Sequence, residues 1–315
     1  MKIVRVFFIF ILIFTALMPG TEIESGDYEH KIIHYVALGD SIAKGYGLED
    51  VDRESYVGRI AQALEEQYGA VRLTNFGKNG LRSEQLLEIL TDEDHEQHKK
   101  YMEEIEQADL ITLSIGSNDL LQYLSVDMDL EEFEEQGDEI FTKACERFWQ
   151  NIPQIIDVIH SHAPQAQLFV NNIYNPCNDV SFDLSAQLDA MAEKYIVKMN
   201  EGFVSQEVQS VFHPQNGGGQ PEESQQPENR VQPEEGQHPE NRVQSQESQQ
   251  SDKSERTAEN NGYELVDVKQ AFEQADEKLI NMVVSWGEID PHPNREGHKK
   301  IADEIIPRLS VGKSP

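Results

Sequence analysis

Cysteine is nearly absent: Cys145 and Cys177 are the only two in 315 residues. That excludes a disulfide-built scaffold and a four-thiolate zinc site. Basic residues are also scarce. Twenty-six Lys and Arg stand against 58 Asp and Glu, a formal charge of −32 at pH 7. Such a field repels nucleic-acid phosphates and anionic lipid, so nucleic acid is not an expected partner. No apolar run is long enough to read as a membrane span. The longest, Val6 to Met18, covers 13 residues, which suits the apolar region of a signal peptide.

Lys2 and Arg5 precede that run and a polar stretch follows it, so residues 1–26 are expected to be a signal peptide or an N-terminal anchor. No small-x-small cleavage site stands out, so cleavage and membrane attachment through the leader both stay open. Without a cysteine after the run, a lipidated N-terminus is not expected. The reading places the protein outside the cytoplasm, secreted or anchored. Export would permit a Cys145–Cys177 disulfide; two buried thiols are the alternative.

Apolar residues are scarce in one internal region. Residues 214–261 are rich in Gln, Glu, Pro, Ser and Asn, and repeat Pro-Glu-Asn-Arg-Val-Gln at 227–232 and 239–244. A segment that buries so little cannot offset its ordering entropy, so it is expected to be a disordered insert. The insert splits one domain, residues 27–213 and 262–315, because strand and helix patterns resume at Tyr263. The acidic stretch Asp127 to Glu139 reads as a solvated helix face or flap.

The rest alternates β-rich runs with helical patterns. Strands are expected at Ile32–Leu38, Val71–Phe76, Leu110–Ile115, Gln167–Asn171 and Glu264–Val268. Helices are expected over Tyr56–Tyr68, Ser83–Leu90, Phe148–His162 and Glu296–Leu309. This order predicts an α/β domain whose parallel sheet is covered on both faces, with its site at the strands' C-terminal ends.

Four short blocks fall there. Ala37-Leu38-Gly39-Asp40-Ser41-Ile42-Ala43-Lys44-Gly45-Tyr46 follows the first strand, Asn75-Phe76-Gly77-Lys78-Asn79-Gly80 the second, and Ser114-Ile115-Gly116-Ser117-Asn118-Asp119 the third. Asp290-Pro291-His292-Pro293-Asn294 precedes the last helix. In this set the chain resembles the SGNH (GDSL-type) hydrolase family. The resemblance implies a three-layer α/β/α sandwich, a flavodoxin-like five-stranded parallel sheet, and ester hydrolysis with no cofactor and no metal. It assigns Ser41 as nucleophile and His292 as base, and an oxyanion hole made by Ser41 N–H, Gly80 N–H and the Asn118 side chain. Gly80 rather than Gly77 matches, because it closes the Asn-x-x-x-x-Gly pattern begun at Asn75; Gly77 reads as a glycine kept for positive φ.

The acid departs from the family's pattern. Three residues before His292 stands Ile289, which cannot polarise an imidazole. Asp290 lies two before and Glu288 four before. Both Asp290 and His292 precede a proline, which pushes them towards extended backbone. In a β-like segment residues i and i+2 share a side, so Asp290 would reach His292; in a polyproline-like one they diverge. Asp290 is the expected acid, with Glu288 or a Ser–His pair alone as alternatives.

Other groups carry weaker signals. His95 and His98 lack metal-site spacing and read as a solvated helix end. His160 and His162 read as an exposed helix end. Asp40 and Asp119 read as loop braces. Specificity is assigned to the loops at 44–56, 119–147 and 172–185. Tyr46, Tyr56, Tyr123 and Phe133 are candidates for a groove, with core packing the alternative. The expected activity is hydrolysis of acyl esters: short-chain lipids, lysophospholipids or O-acetyl sugars. The competing reading is a non-catalytic surface or binding protein on the same fold.

Overall fold

The computed structural model describes residues 32–123, 130–176, 185–204, 262–285 and 288–311. The leader, the 214–261 insert and Cys177 lie outside the described residues, and so do the expectations placed on them. Cys145 is a buried thiol, and burial pushes its pKa up to about 11.

Five strands form one parallel sheet: β1 (Ile33–Gly39), β2 (Val71–Asn75), β3 (Leu110–Ser114), β4 (Gln167–Asn171) and β5 (Glu264–Val266), in the order β2-β1-β3-β4-β5. β1 and β3 are buried on both faces, which explains their mostly apolar sequences, interrupted only by His34, Thr112 and Ser114. Alternation persists within those runs. Ile33, Tyr35 and Ala37 enter one core, and Val36 and Leu38 the other.

The first core is roofed by α1 (Ser41–Lys44), α3 (Tyr56–Tyr68), α9 (Val268–Glu273) and α10 (Arg295–Ile305). A one-turn helix, α2 (Val51–Glu54), leads into α3. The second core is roofed by α4 (Ser83–Thr91), α5 (His98–Glu106), α7 (Leu130–His162) and α8 (Ser185–Val204), with α6 (Ser117–Leu121) after β3. The expected three-layer sandwich is present. A hairpin of β6 (Ile280–Ser285) and β7 (Glu288–Pro293) stands apart from the sheet, and the sequence reading does not anticipate it.

Several expectations need correction. The helix expected at Phe148 begins at Leu130, so most of the acidic stretch is its first turns. The last strand ends at Val266, because Asp267 accepts the Gln270 N–H and caps α9. The closing helix ends at Ile305 and finishes as a 3-10 turn, Ile306–Arg308. His95 and His98 lie at a helix end, the N-terminal one of α5, and are half-buried rather than fully solvated. His98 Nδ1 bonds Ile89 O at 3.0 Å, and His95 Nδ1 accepts from Gln97 N at 3.1 Å. Among the described residues no helix is long and apolar enough to cross a membrane.

α10 docks on α3 through a buried histidine. His298 Nδ1 accepts the Tyr56 N–H at 3.3 Å. Burial pulls its pKa down from 6.5 to about 3, with smaller contributions from His292 and Arg59. Between those two values the unfolded chain binds a proton that the folded chain refuses. The His298 contribution to stability is therefore complete above the unfolded pKa and is lost progressively as pH falls towards about 3. Thermal melts of wild type and His298→Gln at about pH 7 and about pH 4.5 measure this. Acidification lowers the wild-type melting temperature by more than that of the variant; equal shifts contradict the assignment.

Candidate active site

The nucleophile candidate sits where β1 turns into α1. Gly39 holds φ at 140°, and a Cβ there would lie 2.0 Å from Ser114 O. Only glycine lets β1 and β3 approach so closely at this end of the sheet. Asp40 then caps α1, its Oδ1 accepting the Ile42 N–H at 2.9 Å, while its own N–H donates to Ser114 O at 3.0 Å. Burial pushes the Asp40 carboxyl up to about 7, against the lowering effect of the Ile42 bond. Ser41 is the first residue of the helix and only 7% exposed. Its backbone N–H belongs to the first turn, which has no intrahelical acceptor.

The second block is stitched to the first. Phe76 N–H donates to Ala37 O at 2.8 Å and Lys78 N–H to Gly39 O at 3.0 Å. Asn75 Nδ2 donates to Ala43 O at 2.8 Å, and its Oδ1 accepts the Gly77 N–H at 2.8 Å. Gly77 is not a positive-φ glycine, which corrects the sequence reading. It is needed because a Cβ would fall 2.2 Å from Lys44 N. Gly80 has φ 74°, and a Cβ placed on it would meet no atom within 4 Å, so its surroundings are open.

The third block reaches the second through Asn118, whose Nδ2 donates to Leu81 O at 3.1 Å. A carboxamide has two N–H donors, so one remains for a ligand. Asp119 is a brace, as expected. It accepts from Ser83 N at 3.0 Å and from Ser83 Oγ at 2.5 Å, and burial raises its pKa.

His292 comes from the hairpin. Its Nε2 lies 2.8 Å from Ser41 Oγ, and its Nδ1 lies 2.5 Å from Asp290 Oδ1. The same carboxylate oxygen accepts the His292 backbone N–H at 3.0 Å. An ionised carboxylate only accepts, so Nδ1 is the donor and Nε2 is left to accept the serine hydroxyl. Glu288 sits at the start of β7 and pairs with Ser285; Asp290 is the carboxylate on the ring.

Strand pairing explains the short spacing. It passes from Ile280↔Pro293 to Met282↔Asp290, so Pro291 and His292 together oppose Asn281. This is a β-bulge, and bulges re-aim side chains. Asn281 Nδ2 donates to Asp290 Oδ2 at 3.1 Å, and Tyr174 Oη donates to Pro291 O at 2.7 Å. Sequence reasoning misses these two residues. The β-rich stretch Ile280–Val284, with Ile280, Val283 and Val284 before Trp286-Gly287, is the available hairpin signal.

Of the aromatic candidates, Tyr46 lies at the site, its ring centroid 4.5 Å from that of His292. Tyr56 is buried in the core, and Tyr123 packs against the other core. The Phe133 side chain lies outside the described set.

A family model for the GDSL-like lipase/acylhydrolase family matches residues 37–300, most of the chain and all four blocks. The chain belongs to this family. Two curated relatives come from Bacillus. YpmR of Bacillus subtilis is 32% identical over 155 residues, 49% of this chain and 55% of that protein. The spore germination lipase LipC of Bacillus licheniformis is 31% identical over 150 residues, 46% of this chain and 65% of that protein. The matched region thus spans roughly half to two thirds of each relative. The fold is shared with an extracellular lipase from Streptomyces rimosus, at TM-score 0.51 and 17% identity over 88% of this chain and 98% of that one. It is shared also with the lipase Lip_vut3 from a goat rumen metagenome, at TM-score 0.50 and 19% identity over 87% and 95%.

The tight seam between Gly77 and α1 is directly testable. Gly77→Ala must displace backbone and is expected to cost about 1–3 kcal/mol. Urea unfolding reads this as a lowered midpoint, and an unchanged midpoint contradicts the close approach.

Proposed function

We propose that this protein is an exported serine ester hydrolase that works through Ser41, His292 and Asp290. The observation that carries the reading is the bonded row Ser41 Oγ, His292 and Asp290, at 2.8 Å and 2.5 Å. A serine hydroxyl is a weak nucleophile until a base takes its proton. Here His292 Nε2 takes it as Oγ attacks the ester carbonyl carbon. Asp290 holds the ring in the tautomer that leaves Nε2 free and stabilises the imidazolium that forms.

The carbonyl oxygen gains the negative charge. Ser41 N–H, Gly80 N–H and the second Asn118 N–H are assigned to receive it. Support for the trio is their position on adjacent loops at one end of the sheet, tied through Lys78 N–Gly39 O and Asn118 Nδ2–Leu81 O. The intermediate collapses, the C–O bond to the alcohol breaks, and His292 returns its proton to the leaving oxygen. Water then attacks the acyl-serine with the same ring as base, releasing the carboxylic acid and restoring Oγ–H. No step calls on a metal or cofactor.

The irregular acid spacing is the feature that favours a non-catalytic protein. Against it stands the bulge, where Asp290 Oδ1 and His292 Nδ1 are 2.5 Å apart despite the short spacing. Export is supported by Lys2 and Arg5 ahead of the apolar run Val6–Met18. Acyl esters, as short-chain lipids, lysophospholipids or O-acetyl sugars, are the proposed substrate class.

Hydrolysis of p-nitrophenyl acyl esters tests this reading. Ser41→Ala abolishes turnover, and Asn118→Ala lowers kcat by about 10²–10³ while the protein stays folded. If Ser41→Ala retains wild-type activity, the nucleophile is wrong.

A further inference from the structure

We propose that Tyr46 is a specificity-determining residue and that the alcohol released is a ring polyol, so that the substrate is an O-acyl sugar. This rests on the ester-hydrolase reading above. Four large hydrophobic side chains are exposed among the described residues: Ile32, Tyr46, Leu73 and Val197. Ile32 precedes β1 at the far end of the sheet, Leu73 lies within edge strand β2, and Val197 lies on α8. Of these four, Tyr46 stands beside the nucleophile, 45% exposed.

Its position is fixed from two sides. The Tyr46 N–H donates to Ser41 O at 3.0 Å, and its ring lies 4.5 Å from the imidazole at 42°. The next residue, Gly47, runs alongside the acid; a Cβ there would be 3.9 Å from Asp290 Oδ2 and 3.7 Å from Asn281 Nδ2. The loop is therefore seated against His292 and Asp290 together.

The imidazole that Tyr46 touches is the group that protonates the departing oxygen. An alcohol protonated by Nε2 would leave the acyl carbon within reach of the exposed tyrosine ring, which lies 4.5 Å from the imidazole. In the Tyr46 loop and in the second block the side chains of Lys44, Glu49, Asp50, Lys78 and Asn79 are exposed and polar, and Leu48 is half-buried. An alkyl chain needs continuous apolar surface, and among the described residues Tyr46 is the one exposed large hydrophobic side chain beside the nucleophile. A sugar ring presents C–H groups on one face and hydroxyls around its edge. That pattern matches one aromatic face among loops that expose polar side chains.

Full-length protein is assayed on glucose pentaacetate and on triacetin, which carry the same acyl group on a cyclic and an acyclic polyol. Wild type, Tyr46→Phe, Tyr46→Ala and Ser41→Ala are compared. The ratio of kcat/KM for the cyclic over the acyclic ester falls about three- to tenfold in Tyr46→Ala, mainly through KM, as loss of one ring contact predicts. Tyr46→Phe keeps the wild-type ratio. An unchanged ratio in Tyr46→Ala, with both rates lowered equally, would mean that the ring only props His292, and overturns the proposal. So does a wild type that cleaves triacetin but not the sugar ester. If Ser41→Ala stays active, or wild type cleaves neither ester, the ester-hydrolase reading itself fails.

Discussion

The His292 ring is held between a hydroxyl and a carboxylate, and the chemistry proposed for this chain depends on that suspension. The two ends of the contact come from distant parts of the chain. Ser41 is delivered by the first strand of the sheet, whereas Asp290 and His292 share a hairpin outside it. A sub-ångström error in either would break a 2.8 Å hydrogen bond. Much of the surrounding structure acts to prevent it. Gly39 packs β1 against β3, Asp40 caps α1, Tyr174 holds the Pro291 carbonyl, and Asn281 holds the second oxygen of Asp290.

The sheet order explains why three of the loops meet. β1 lies between β2 and β3, so the chain leaves β1 in one direction and returns on its other side. Loops at such a switch point diverge and leave a crevice at the C-terminal ends of the strands. Ser41, Gly80 and Asn118 follow β1, β2 and β3, one from each loop. The crevice walls are joined by backbone: Asp40 to Ser114, Lys78 to Gly39, and Gly77 close against Lys44. The anion-facing role proposed for these groups suits such a frame, which needs little reorganisation as charge develops.

The middle of the sheet is legible in the sequence because β1 and β3, buried on both faces, carry few polar residues. Glycine and polar blocks ending those runs mark the loops that matter. The hairpin is not legible in the same way. Its second strand, Glu288–Pro293, holds two prolines and little apolar pattern, and tertiary pairing with β6 rather than local propensity makes it a strand. The Asp-x-His spacing therefore looks like a defect until the bulge opposite Asn281 is seen. α5 escapes notice because its buried residues, Tyr101, Met102 and Ile105, fill barely more than one turn. Gly77 reads as a conformational glycine when the constraint on it is steric, and no single-chain pattern distinguishes the two.

Fluorophosphonate labelling with peptide mapping measures the central claim most directly, because the reagent reacts with a serine only when a base activates it. At neutral pH the account predicts one adduct, on Ser41, formed in wild type and slowed by orders of magnitude in Asp290→Asn. A folded protein with no adduct on Ser41, or with equal labelling rates in the two proteins, would contradict it.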